Sequence, residues 1–285
     1  MKLTKAVITA ASTDHRTLPI QTLVDRDGEL RSVLEILLRE VHSTGIEDVC
    51  LIIHPGDEDA FRKSITDTSM RLTFIEQHER FGYGHAISLA ADFTAGEPFF
   101  HAVSDHLFIS GDPERSCARQ LIESAKAEDC AMSGVQSTHE TEIQHYGTIA
   151  GTLQRAAGGE SIYQIREVLE KPTPTEAEQK LIVPGLRAGR YLTLFGMHVL
   201  TPLVMEMLTA KVEETKRAGG TLQLSPILSE LARREQYSAL KVLGGRHDIS
   251  QKYGLFHAQL ALALAGSERD EILSDLLDIV ARARH

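Results

Sequence analysis

Several short segments combine residue types that can do chemistry. Gln77 precedes Gly82-Tyr83-Gly84-His85-Ala86 at the junction of an apolar run and a helical pattern. A side-chain amide offers a donor and an acceptor together. Glycines let the chain pass close to a ligand, and a helix that begins at His85 and Ala86 can turn its amino end to an anion. A Gly-rich turn before a helix is also a common structural device, so the motif alone is weak. Glu170-Lys171-Pro172 sets an acceptor carboxylate beside a cation, suited to hydroxyls and a phosphate, or to a plain surface ion pair. Asp105 follows an apolar run in Val-Ser-Asp-His-Leu, and Asp248 stands in Arg246-His247-Asp248. Either aspartate could cap a helix or turn, and the two together could share a divalent cation. Arg16 can make charge-assisted bonds to phosphate. His15, His54, His101, His106, His145 and His247 fall at strand ends or in loops, without the spacing of a zinc site, and no G-x-S-x-G elbow occurs.

The elements that must position these residues alternate. Apolar runs at Lys5–Ala11, Val49–Ile53, Leu72–Ile75, Phe99–Val103 and Ala131–Val135 read as strands. Helical patterns at Arg31–Ser43, Asp59–Ser64, Gly84–Phe93 and Pro113–Lys126 separate them. Strands also fit Gly147–Gly151, Tyr163–Leu169 and Tyr191–His198, with a turn at Ala157-Gly-Gly159. Lys171–Pro174 is a loop because of its prolines. Helices start at Thr201-Pro202 and at Leu224-Ser225-Pro226, and two more cover Gly254–Ala265 and Glu268–Arg284. Strands joined by helical crossovers imply an α/β fold with a mostly parallel sheet covered on both faces. Ligands in such sheets gather at the carboxyl ends of the strands.

Composition sets the outer limits. The chain has 285 residues, 42% hydrophobic and 25% charged, enough for a sizeable core in one domain. The formal net charge of −10 argues against a nucleic-acid partner. No apolar run is long enough to span a bilayer, which points away from a membrane. Cys50, Cys117 and Cys130 form no CxxC pair and are expected as core fillers in a reduced, cytoplasmic protein.

The order of these motifs resembles the bacterial UTP–glucose-1-phosphate uridylyltransferases, within the sugar-phosphate nucleotidyltransferases, over about residues 5 to 265. Gln77 with Gly82-Tyr83-Gly84-His85-Ala86 is similar to the family's Q-x-x-x-x-G-L-G-H-A. Asp105 matches its L-x-D aspartate, and Arg246-His247-Asp248 through Gly254 resembles R-Y-D-x-G-D-K-x-G. Tyr146-Gly147 resembles Y-G-x-V, Glu170-Lys171-Pro172 matches E-K-P, and Phe195-Gly196-Met197 resembles a strand beside the sugar. Gly220–Ser225 resembles the family's G-E-I-Q-L-T-D without its acids. At the amino end, Ala11–Pro19 resembles A-G-x-G-T-R-x-x-P, with Ser12 and Asp14 at the glycine positions. The next stretch is shorter than the family's, and Arg26 is the nearest cation where the family carries a lysine.

The resemblance implies a Rossmann-like nucleotidyltransferase domain over residues 1–265. Residues 266–285 would form a terminal helix for packing or oligomerisation, and the protein would be a homo-oligomer. It implies that Ala10, Ala11, Gln77, Gly82, Tyr83, Gly84 and His85 bind the nucleotide. Tyr146, Gly147, Glu170, Lys171 and Gly196 would bind the sugar phosphate. Asp105 and Asp248 would hold Mg²⁺, and Arg16, Asp105 and Lys171 would carry catalysis. The implied partners are UTP or a UDP-sugar and a sugar 1-phosphate. Three functions are compatible with this set: transfer of uridylyl to glucose 1-phosphate, sugar-nucleotide binding by a relative that has lost the catalytic loop, or activity on a different nucleotide with Arg26 or another cation at the phosphates.

Overall fold

A computed structural model of the chain describes residues 1–66, 69–157 and 160–282. The expected turn at Gly158-Gly159 and the last residues of the expected final helix lie outside them. Nine strands among the described residues form the main sheet. Their order is Arg71–Glu76, Asp48–Ile53, Lys5–Ala10, Phe99–Val103, Arg190–Leu200, Ala131–His139, Tyr237–Lys241, Glu160–Leu169 and Thr148–Ala157. The first four are mutually parallel. Arg190–Leu200 runs against both of its neighbours, and Glu160–Leu169 does the same further on. The sheet is thus mixed α/β with most strands pointing one way.

Local chemistry explains the elements. The apolar runs with Val, Ile and Phe, such as Asp48–Ile53, are buried on both faces, as a helix-covered parallel sheet requires. Ser32 caps the helix Val33–His42 through the N–H of Glu35, and Gly45 follows its end at φ 84°. The Pro174–Lys180 helix, not expected from the sequence, starts from a capping box between Thr173 and Glu176. The helical pattern at Gly84–Phe93 is broken into Tyr83–Ser88 and Ala91–Thr94. The helix expected from Pro113 begins instead at Cys117, because Ser116 is the cap.

One arrangement positions the site. The chain leaves Lys5–Ala10 toward one side of the sheet and returns to Phe99–Val103 on the other side. The carboxyl ends of these two neighbours therefore form a topological switch point. From there the chain passes through Asp105 into a short strand, His106–Ser110. That strand pairs antiparallel with Gly244–Asp248, and Asp248 stands opposite His106. Cys50, Cys117 and Cys130 are free and buried, as expected of core residues. No described helix is long and apolar enough to cross a membrane.

Candidate functional site

A cavity of about 280 Å³ opens at the switch point. Its wall includes Thr9, Ala10, Ala11 and Ser12 from the first strand and loop, Gln77 and Tyr83 from the second segment, and Ser104 and Asp105 from the third. The Ser104 N–H donates to the Thr9 carbonyl at 3.2 Å, which ties the two strand ends together.

Within Gly82-Tyr83-Gly84-His85 each residue has a distinct environment. Gly82 has φ 97°, and a Cβ there would lie 2.8 Å from the Leu222 carbonyl oxygen. A Cβ on Gly84 would lie 2.9 Å from that same oxygen. Both glycines are therefore needed for close packing on the Thr221-Leu222 segment, which the sequence pattern did not disclose. Tyr83 turns inward and donates its hydroxyl to His101 Nε2 at 2.5 Å, while His101 Nδ1 donates to the Val7 carbonyl at 2.8 Å. Burial, reinforced by the negative charges of Asp105 and Glu170, holds the Tyr83 phenol above its ordinary pKa. His85 is buried behind Gln77, not in the cavity wall, and its Nδ1 lies 3.0 Å from the Gln77 amide nitrogen.

The two aspartates meet through backbone pairing. The Ile249 N–H donates to the Asp105 carbonyl at 3.0 Å, so Asp248 arrives beside Asp105 and His106. Asp105 Oδ1 accepts from His106 Nδ1 at 2.7 Å, and Oδ2 is 3.9 Å from His15 Nδ1. Burial works to raise the Asp105 pKa. The His106 hydrogen bond and the nearby imidazoles outweigh it, and the carboxyl stays below its ordinary value. Asp248 Oδ1 accepts from the Ser250 N–H at 3.0 Å and hydroxyl at 2.5 Å, which aims the side chain. Among the described residues no set of three or more His, Cys, Asp or Glu is arranged to hold a metal. Two carboxylates without a closed protein cage fit a hard cation that completes its shell with water and phosphate oxygens.

The second half of the site is continuous with the first. His106 meets the Tyr146 ring edge-on at 6.3 Å, and the Arg246 guanidinium lies 3.5 Å from the centre of that ring. Arg246 is buried and bonds the Leu194 carbonyl and, at 3.2 Å, the Thr193 hydroxyl. Desolvation lowers its pKa to about 10, which leaves it charged. Burial pushes the Tyr146 phenol up to about 12. Gly147 sits where a Cβ would lie 3.0 Å from Ser225 Oγ and 3.4 Å from Glu170 Oε2, and Ser225 donates to that carboxylate oxygen at 2.5 Å. Gly196, at φ 90°, packs under Val103 and His106. Lys171 is exposed, has φ 46°, and has no ion-pair partner among the described residues.

Two expected cations lie elsewhere. Arg16 is exposed and its Nε reaches both carboxylate oxygens of Asp57 at 2.7 Å. That hydrogen bond, reinforced by the charge of Asp57, raises its pKa. Arg26 lines a different cavity, with Glu40, Ser116 and Gly266. His106, Arg246 and Ser225 were given no role in the site from the sequence. The available signals were the adjacency of His106 to Asp105 and the Arg-x-Asp spacing at 246–248.

The family model described as nucleotidyl transferase matches residues 19–262. UTP–glucose-1-phosphate uridylyltransferase YngB of Bacillus subtilis is 27% identical over 314 aligned positions, covering 99% of this chain and 97% of that protein. The UTP–glucose-1-phosphate uridylyltransferase of Streptococcus pneumoniae is 26% identical, covering 98% and 96%. Among solved structures, a UDP-glucose pyrophosphorylase from Acinetobacter baumannii superposes with TM-score 0.75 at 20% identity, covering 98% of this chain and all of that one. A UDP-glucose pyrophosphorylase complexed with UDP-glucose superposes with TM-score 0.72 at 21% identity, covering 91% and 98%. These structural likenesses speak to the fold. With the model match spanning most of its length, the chain belongs to the nucleotidyl transferase family.

Proposed function

We propose that the chain transfers a uridylyl group from UTP to a sugar 1-phosphate, with glucose 1-phosphate as the preferred acceptor. The observation that supports this reading is the pairing of His106–Ser110 with Gly244–Asp248, which sets Asp248 opposite His106, the residue after Asp105 of the Gln77 cavity wall. The base would lie against Gln77, Gly82 and the strand end at Ala10 and Ala11. The sugar would lie against Tyr146, Gly147 and Gly196, with Glu170 accepting its hydroxyls and Lys171 meeting its phosphate.

In the reaction an oxygen of the sugar phosphate attacks the α-phosphorus of UTP. A new P–O bond forms, the bond to the β-phosphate oxygen breaks, and pyrophosphate leaves with that electron pair. Such chemistry depends on placement and charge neutralisation. Asp105 and Asp248 would hold Mg²⁺, which when bound neutralises charge on the phosphate oxygens. His106 orients Asp105 through the 2.7 Å hydrogen bond, and Ser250 orients Asp248. Pyrophosphate release from UTP across a panel of sugar 1-phosphates with Mg²⁺ tests the reading. No release with any of them sinks it.

A second reading has its own support. Arg16 is engaged by Asp57, and the segment between Pro19 and Gly28 holds no lysine. A relative that binds the sugar nucleotide without turning it over fits those two facts. Calorimetric binding of UDP-glucose without pyrophosphorolysis supports this alternative, and robust turnover eliminates it.

Buried free cysteines accord with a reduced, cytoplasmic setting. The terminal helix Arg269–Arg282 buries none of its residues and exposes Leu273, Leu277, Ile279 and Val280, which favours a homo-oligomer that covers them.

A further inference from the structure

We infer that His85 decides which edge of a base the cavity accepts, by holding the Gln77 side-chain amide in one orientation. The inference rests on the reading of this cavity as a nucleotide site. Gln77 is nearly buried and lines the cavity. One atom of its amide lies 3.3 Å from the Gly82 carbonyl oxygen, which can only accept, so that atom is the nitrogen. The same nitrogen lies 3.0 Å from His85 Nδ1. Its two N–H groups thus have two acceptors, provided Nδ1 is bare. The ring proton then sits on Nε2, where the Glu79 carbonyl can accept it.

Several features keep the ring in that state. His85 is buried, and burial followed by the charge of Lys216 lowers its pKa, so the imidazole stays neutral. Phe81 meets it edge-on at 5.6 Å and fixes its plane. A flipped Gln77 amide would turn its oxygen toward a carbonyl oxygen and a ring lone pair, two repulsive contacts in a buried place. The consequence is that Gln77 presents its carbonyl oxygen to the cavity. An acceptor there pairs with a base that carries a ring N–H, as uracil and thymine do at N3. It opposes cytosine, whose N3 is itself an acceptor. His85 is a positioning residue in this scheme and does not touch the nucleotide.

The test is titration calorimetry with UDP and CDP on the wild-type chain, His85→Leu and His85→Gln. The wild type should bind UDP more tightly than CDP. His85→Leu should reduce that preference by about tenfold or more, the scale on which a misdirected polar contact rejects a ligand. His85→Gln, which can supply an acceptor oxygen in place of Nδ1, should keep most of it. Equal weakening of both nucleotides by His85→Leu, an unchanged ratio, or loss of preference in His85→Gln to the same degree overturns the inference and leaves the nucleotide-site reading standing. Wild-type protein that binds neither nucleotide overturns both. Nitrogen NMR of the wild-type histidines needs no variant: a proton on Nδ1 of His85 instead of Nε2 also overturns the inference.

Discussion

The Ile249 N–H donates to the Asp105 carbonyl oxygen at 3.0 Å, extending the ladder that sets Asp248 opposite His106. If Asp105 and Asp248 share a cation, each carboxylate is needed. Asp105→Asn and Asp248→Asn should each lower kcat/KM for pyrophosphate release by about a hundredfold or more, the cost typical of losing a preorganised charge contact. The double variant should be little worse than either alone, because groups that act as a unit are not additive. Fully multiplicative losses would separate the two residues.

Gly147 tests the sugar half. A Cβ there would stand 2.8 Å from Leu194 Cδ1 and 3.0 Å from Ser225 Oγ, so Gly147→Val must displace the hydroxyl that holds Glu170. The KM for glucose 1-phosphate should rise about tenfold or more while the Kd for UTP stays close to wild type. A matching rise in both would place Gly147 outside the sugar site.

Arg16 is occupied by Asp57; if Arg16 serves the phosphates of UTP, that engagement competes with it. Arg16→Ala should raise the KM for UTP. Asp57→Asn, which loosens the grip, should lower it by about threefold, as expected when a larger fraction of the protein is competent to bind. A UTP KM unmoved by both substitutions assigns the pair to structure alone.

Acid should destabilise the fold through two core histidines. Burial, opposed only in part by the Val7 carbonyl, pulls His101 down to about 4. Burial and the neighbouring His101 pull His198 down to about 3. The two rings stack at 5.9 Å, and His198 Nδ1 is 2.5 Å from Ser133 Oγ. Both stay neutral in the folded chain and take up protons when it unfolds, so stability is lost as pH falls below about 6.5, each group contributing about 1.4 kcal/mol per pH unit. Glu40 runs the other way. Burial raises its carboxyl to about 6, so it offsets part of the loss between about 4.5 and 6. Thermal melts from pH 7.5 to 5 should show a falling Tm, and His198→Asn should flatten the slope. A Tm that is flat or rises on acidification contradicts this.

The terminal helix supplies a test of assembly. Leu277→Glu replaces a residue that is 65% exposed in the single chain. It should shift the mass measured by light scattering toward a monomer without lowering the Tm of the domain. An unchanged mass distribution would free that helix of any role in oligomerisation.

Much of the sheet was legible because its strands are short apolar runs between Gly, Pro and helical patterns. Phe99–Val103 is observed with the bounds its residues suggest. The His106–Ser110 and Gly244–Asp248 ribbon was not legible, since Gly244-Gly245-Arg246-His247 has no strand character of its own and is ordered by its partner. Tyr237–Lys241 was hidden by its polar alternation and its place after a helix. In the site, Asp105, Gln77 and Glu170 could be named from residue type and position. Arg246 and Ser225 could not, because their roles rest on Tyr146 and Glu170, which are distant in sequence and meet them only in the folded chain.

That ribbon also sets a schedule for biosynthesis. Asp105 and Asp248 stand about half the chain length apart. A ribosome-bound chain can complete the sheet around Lys5–Ala10 and Phe99–Val103 long before its second carboxylate emerges. Nascent protein therefore brings the two aspartates together only near the end of translation, and fragments ending before residue 244 would keep Asp105 and most of the cavity wall without Asp248.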